Sequence, residues 1–392
     1  MKGRVTMLGI SRWSDKYSYK TIERFFDKRI DWLGIKWQLI KGKVADREII
    51  LVADETTISK AGKATYGLGY FYAGLQGRAI KSIQFLSFSI VDVKSKRAYP
   101  LFSKQLIQSK SKKRETQEKK RVGRPKGSIT KKKRLKGLFR VVSWYLRIIL
   151  KIVNSPKLRY FVYDGAFGNS SGIEAAKNVN LDLISKLKKN SVLYFKFKGE
   201  QKGRGRKKKY GELIDYENLD EKYCKDTKIE KDIEIKIYQF EALNRKIKEP
   251  LNIVIIVARN LKNDKRTHTI LFSTDLKQNF QKIVDYYSLR FQIEFNFRDA
   301  KQYFGLEDFM NIKKRRVHNF ANLSMFMNNI SYLLYTESSF SQYSVNDMKS
   351  IFMAEKYTYE ILKYYGKKVD SILIKEAIMK IADFSMIHRM IS

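Results

Sequence analysis

At 392 residues, with 43% hydrophobic and 13% aromatic side chains, the chain has length for roughly two or three domains and is too apolar for intrinsic disorder. Eighty Lys and Arg against forty Asp and Glu give a formal charge of +40, so the chain repels itself unless it meets a polyanion; nucleic acid is the commonest one, because neutralised phosphates release counterions, although a ribosomal or membrane surface also suits the charge alone. One cysteine, Cys224, and three histidines, His268, His318 and His388, exclude a disulfide framework and a Cys/His zinc site, leave little for a Ser-His or Cys-His hydrolase, and with no signal peptide point to a reducing cytoplasm.

In chain order, "TMLGISRW" and "SYKTIERFFDKRIDWLGI" have helical spacing, with Ser18 as a cap. They predict two or three short helices over residues 1–46, either a plain helical lead-in or a helix-turn-helix that binds DNA. "REIILVADETTI" is apolar and β-branched and ends in a carboxylate, which reads as a buried strand with Asp54 at its C-terminal end. The glycine-rich "ATYGLGYFYAGLQG" suits hairpin turns or close approach by a ligand. "SIQFLSFSIVDV" and "RAYPLF" read as two more strands. Between 103 and 136 the composition shifts to a basic loop, ordered by nucleic acid if at all. Its "GRPKG", with Arg124 and Lys126, resembles a minor-groove hook, and a solvated charge run accounts for the same residues. "GLFRVVSWYLRIILKIV" is the most apolar helical run, but Arg140, Arg147 and Lys151 make it a buried helix rather than a membrane span.

"LRYFVYDGAFGN" is a second strand closing on a carboxylate, Asp164, followed by glycine; "SSGIEAAKNVN" reads as a helix and "LDLISKL" as a strand. Residues 47–189 therefore form an α/β unit. From 190 to 278 come the β-like runs "VLYFKFKG", "IEIKIYQFEAL", "LNIVIIVARN" and "HTILFSTD", broken by a second basic loop that holds Arg204 and Arg206. This stretch reads as a β-rich insertion. Residues 279–335 return to helix and complete the α/β unit, and 336–392 make a helical C-terminal region.

The first of these late helices carries an unusual stripe. In "YYSLRFQIEFNFRDAKQYFG", from Tyr286, the residues Tyr287, Arg290, Glu294 and Lys301 follow at gaps of three, four and seven. At about 100° per residue they share an arc of about 60° on one continuous helix, with Arg298 close beside them. Leu289, Ile293, Phe297, Ala300 and Phe304 cover the adjoining face. A solvated amphipathic face explains such a stripe as well as a functional one does.

The strand-end aspartates favour function. Adjacent strand ends in an α/β sheet can bring Asp54 and Asp164 together, and two such carboxylates repel unless a cation neutralises them. Carboxylate oxygens without Cys or His favour Mg²⁺ or Mn²⁺. Glu294 can supply the third carboxylate of a two-ion site for phosphodiester displacement, with Arg290, Arg298 and Lys301 on phosphate. Glu55 and Asp92 remain alternatives to Asp54, and Asp275 and Glu307 remain alternatives to Glu294.

"ADETTISKAGKATYGLG", "VYDGAFGN" and "YSLRFQIEFNFRDAKQYFG" resemble the three catalytic segments of bacterial insertion-sequence DDE transposases, in the IS-four-like branch whose third carboxylate lies in a Tyr-Arg-Glu-Lys signature. Tyr287, Arg290, Glu294 and Lys301 match every gap of that signature; Asp54 with Thr56 and Thr57 resembles the first segment, and Asp164-Gly165 the second. The resemblance spans roughly residues 10–335. It implies a ribonuclease-H-like mixed sheet with flanking helices, a β insertion before the Glu helix, and a homodimer on paired DNA ends. It also implies Mg²⁺-dependent cleavage and strand transfer at terminal inverted repeats of double-stranded DNA, with Tyr287, Arg290 and Lys301 holding the transposon end. Family members carry a longer helical segment before the first aspartate than the 53 residues found here, so 1–46 is expected to be a shortened DNA-binding segment. A nuclease on the same fold that does not join strands, and a DNA-binding protein with a decayed site, share these features.

Overall fold

The computed structural model describes residues 3–108, 135–201, 203–336, 340–365 and 370–387. Arg124 and Lys126, with the whole "GRPKG" hook, lie outside the described residues. Three short helices come first: α1 (Met7–Trp13), α2 (Tyr19–Asp27) and α3 (Trp32–Val44). Each starts on a side-chain oxygen that accepts an otherwise orphaned amide, Thr6 from Gly9, Ser18 from Thr21 and Asp31 from Gly34.

Next come β1 (Ile49–Ser59), β2 (Gly69–Ala73), β3 (Arg78–Asp92), β4 (Arg97–Leu106), α4 (Gly137–Val153), β5 (Leu158–Val162), α5 (Ser170–Lys177) and β6 (Asp182–Lys186). β3 runs antiparallel between β1 and β4. On the other side of β1, β5 is parallel to it, and β6 is parallel to β5. Parallel neighbours need a crossover, and α5 supplies the one from β5 to β6. The central strand shows why it sits there: Ile49 to Ala53 are all but sealed from solvent, as a strand covered on both faces must be.

The chain continues through β7 (Tyr194–Lys196), β8 (Tyr210–Leu213), β9 (Cys224–Glu230), β10 (Ile233–Asn244), β11 (Ile247–Asn260) and β12 (Arg266–Ser273). β12 pairs antiparallel with β6, and β11, β10 and then β7 and β9 extend the sheet outward. Last are α6 (Phe280–Leu289), α7 (Gln292–Gln302), α8 (Lys314–Thr336), α9 (Val345–Tyr365) and α10 (Ser371–Asp383). Side chains alternate along β1, so its two faces build two cores. Ile49, Leu51 and Ala53 pack with α3, α4 and α5, while Ile50 and Val52 pack with α6, α7 and α8. The result is a mixed α/β fold with an open sheet and covering helices, compatible with the expected ribonuclease-H-like arrangement. α9 and α10 close a smaller core around Tyr343, Met348, Ile351 and Ile378. Among the described residues no helix is long and apolar enough to cross a membrane.

Two elements differ from expectation. β1 does not end at Asp54, because β3 pairs with it as far as Ser59 opposite Ser82. The single striped helix is two helices. At Arg290 and Phe291 the amides reach carbonyls three residues back, Arg290 to Tyr287 at 3.2 Å and Phe291 to Ser288 at 3.1 Å, and Glu294 does the same to Phe291 at 3.0 Å. This tightened turn separates α6 from α7 and resets the angular positions that a continuous helix would give.

Candidate active site

The parallel pairing of β1 and β5 sets Val52 beside Val162. Two residues further along each chain come Asp54 and Asp164, so both carboxylates leave the same face at the same end of the sheet. Asp164 lies just past β5 and is fixed on both sides. Its Oδ1 accepts the Ala166 amide at 2.9 Å, and its carbonyl accepts the Ser185 hydroxyl at 2.6 Å. The turn after it presses against β6: a Cβ on Gly168 would lie 2.2 Å from the Lys186 carbonyl oxygen, so only glycine fits there without a shift of backbone.

Glu294 approaches from the first turn of α7, where the partial positive charge of the helix start favours a carboxylate. Arg290, in the turn between α6 and α7, lies between the acids. Its side chain is 8% exposed; Nη1 donates to Asp54 Oδ2 at 2.8 Å, and Nη2 stands 3.4 Å from Glu294 Oε1. The guanidinium also covers the Phe291 ring, 4.5 Å from its centroid. Burial pushes the Asp54 carboxyl up to about 6; the Arg290 charge and the Glu55 amide oppose this, and the nearby charges of Asp164 and Glu294 add to it. Asp54 thus senses both of the other acids. Tyr287 is half-buried beside them, its hydroxyl raised chiefly by burial and also by Asp164 and Asp54.

Glu55 points to the other face of β1. It accepts the Tyr163 hydroxyl at 2.6 Å, and burial raises it to about 7, with Asp54 and Asp164 adding to the rise. The Tyr163–Glu55 pair went unseen in the sequence, where only the tyrosine directly before Asp164 could have signalled it. Lys301 sits further along α7 and ties it to the end of β1, donating to the Thr57 carbonyl at 3.0 Å and facing Glu307 at 3.3 Å. Arg298 turns away: it pairs with Asp299 at 3.2 Å, lies over Phe295, and its charge is felt at Tyr332. Arg204 and Arg206 are exposed in the loop before β8. Of the alternative acids, Asp92 pairs with Arg47 at 2.5 Å and Asp275 with Arg159 at 2.8 Å, both at the opposite end of the sheet.

The structure therefore brings together Asp54, Asp164, Glu294, Arg290 and Tyr287, and leaves Arg298 outside. Among the described residues no three His, Cys, Asp or Glu side chains are arranged as they stand to hold a metal ion. The guanidinium between Asp54 and Glu294 accounts for this, since it takes the oxygens that a cation would use. The donor set still suits a hard divalent ion, being carboxylate oxygen throughout, with Asp54 and Glu294 already gathered on one positive charge.

A model of the DDE superfamily endonucleases matches residues 1–238. The chain belongs to this family. Membership brings with it a nuclease or transposase type of enzyme acting on DNA, for which divalent ions are typical. The matched residues include Asp54 and Asp164 and stop short of Tyr287, Arg290 and Glu294. No curated protein matches the chain.

Proposed function

We propose that the protein is a DDE transposase of the Tyr-Arg-Glu-Lys, IS-four-like branch, cleaving and joining DNA strands at the terminal inverted repeats of an insertion sequence in the bacterial cytoplasm. One observation carries this reading. Three carboxylates from β1, the turn after β5 and the start of α7 converge, so that Asp54 feels both Asp164 and Glu294. Arg290 pairs with two of these acids, Asp54 and Glu294, and a structural ion pair needs no third carboxylate beside it, whereas phosphodiester displacement does need clustered carboxylates. Asp54, Asp164 and Glu294 are the residues that would hold two Mg²⁺ or Mn²⁺ ions. Bound there, the ions would supply Lewis-acid activation of the attacking oxygen and charge neutralisation at the leaving one.

The chain's own residues do the rest. Asp54 and Asp164 hold their oxygens on one side through the β1–β5 register. Glu294 closes the opposite side from α7. Tyr287 and Arg290 border the cluster and position the DNA end, with Lys301 further along the same helix. Residues 190–278 act as a β-rich insertion that carries Arg204 and Arg206 toward DNA. Arg124, Lys126 and Arg298 add phosphate contacts, 1–46 contributes end binding, and a homodimer pairs the two ends.

The test is cleavage of a labelled transposon-end duplex in Mg²⁺ and in Mn²⁺, with binding measured separately in Ca²⁺. Asp54→Asn, Asp164→Asn and Glu294→Gln should each lower cleavage by orders of magnitude with binding retained, and their losses should not add. Glu307→Gln should cut nearly normally. Near-normal cleavage by Glu294→Gln in both metals sinks the assignment. Cleavage with no joined product leaves a nuclease in place of a transposase.

A further inference from the structure

The outward face of α4 has no part in the site above. Arg140, Trp144, Arg147 and Lys151 are all exposed, and their gaps of four, three and four put them on one side of the helix. The other side, Val142, Tyr145, Leu146, Ile149 and Val153, packs into the core shared with α3 and α5. Among the described residues no ion pair engages any of the three cations, which leaves their charge for a partner. Trp144 is 55% exposed, whereas Trp32 and Trp37 are buried. A tryptophan held half in water between two arginines is the composition of a contact surface rather than of a solvated helix face.

The chemistry of the partner follows from charge and shape. A second copy meeting this face with the same face would set cation against cation. A membrane surface would ask for a broad apolar face beneath the cations, and here one apolar side chain stands among them. A duplex fits. From Arg140 to Lys151 the helix rises about 16 Å, a span of about five phosphates at about 3.4 Å each along the DNA axis. The residues immediately before α4, 109–134, hold thirteen Lys and Arg against two Glu, so the basic run of the sequence leads into this helix. α4 and α7 cover opposite faces of the sheet, so DNA seated on α4 is a segment other than the one at the carboxylates.

We propose that the outer face of α4 is a second duplex-binding surface, in which Arg140, Arg147 and Lys151 take backbone phosphates and Trp144 packs against the sugar edge without reading sequence. This rests on DNA being the substrate. The experiment uses the full chain in Ca²⁺ with a long duplex of unrelated sequence, comparing wild type with the triple variant Arg140→Gln, Arg147→Gln, Lys151→Gln. The slope of log K against log salt should lose about 2–3 units in the triple variant, close to 0.9 for each phosphate contact. Its thermal melt should be unchanged, because all three side chains are exposed. The fluorescence change on binding this duplex should largely vanish in Trp144→Phe and persist in Trp13→Phe, Trp13 being half-buried and Trp32 and Trp37 buried. A wild type that binds no duplex overturns the DNA reading and this inference together. A wild type that binds with a slope the triple variant shares overturns this inference alone. So does a triple variant that instead loses binding to phosphatidylserine vesicles, or that changes oligomeric state in light scattering.

Discussion

Two side chains define what single residues do here. Arg290 holds two acids, and removing it leaves Asp54 and Glu294 facing each other without a cation. Breaking a mostly buried pair of this kind costs about 3 kcal/mol. The pH dependence has a definite sign. Asp54 is raised in the folded protein, so its cost to stability begins above the ordinary carboxylate range and grows until about pH 6. Arg290→Gln takes away the opposing charge, the carboxyl rises further, and the cost continues to grow above pH 6. The variant should therefore melt well below wild type at pH 8 and much closer to it at pH 5; an equal deficit at both values would show that Arg290 acts through packing alone. Lys36 is the reverse case. It is fully buried between α3 and α8, donates to Asn322 at 3.3 Å, and burial lowers it to about 7. Its charge is felt at His318, which is basic too. Folding must remove its proton, so stability should rise between about pH 7 and the ordinary lysine range. Lys36→Met should flatten that rise and stabilise the protein at pH 7 by a few kcal/mol, on the order expected for a shift of this size. Parallel denaturant titrations at pH 7 and 9.5 decide it.

At the scale of elements, the strand register aligns Asp54 with Asp164, and the turn after β5 holds Asp164 there. Gly168 and Gly165 make the comparison. A Cβ at 168 would strike the Lys186 carbonyl at 2.2 Å, while one at 165 would lie in ordinary contact at 3.4 Å from the same oxygen. Gly168→Ala should cost about 1–3 kcal/mol and also cleavage, because the turn must move and Asp164 with it. Gly165→Ala should do neither, as read by thermal melts beside the cleavage assay. Such turns also mark where the sequence stopped being informative. β1 could be read from Ile49 to Ala53 because a strand buried on both faces is a continuous apolar run. Its extension past Asp54 could not, since that depends on pairing with β3, some thirty residues away. The grouping of Tyr287, Arg290 and Glu294 was legible as spacing, but the tightened turn at Arg290 was not: both helices have good helical composition, and the break is set by tertiary packing. That same turn sends Arg290 inward to the acids, where spacing alone had assigned it to phosphate; Arg298 shares a face of α7 with Glu294 and Lys301, but its side chain turns to the adjacent Asp299, which spacing does not show.

At the scale of the whole molecule, the charge of +40 is uneven. Asp54, Asp164 and Glu294 gather at one end of the sheet, while thirteen cations fall within residues 109–134 alone. On the proposed reading a duplex is drawn to the cations and cut at the acids, so affinity and cleavage should be separable. Replacing 110–134 by a neutral linker of equal length should weaken binding and flatten the salt dependence by more than the three substitutions on α4, because more counterions are kept in place. The two changes should add on the log scale where they touch separate phosphates. Single-turnover cleavage at saturating DNA should stay close to wild type, since no carboxylate has moved. The measurement is log K against log salt for wild type, each variant and the combination, beside single-turnover rates in Mg²⁺. A linker variant with an unchanged slope would show that these thirteen cations meet no phosphate, and one whose saturated rate collapses would place the segment in the chemistry itself.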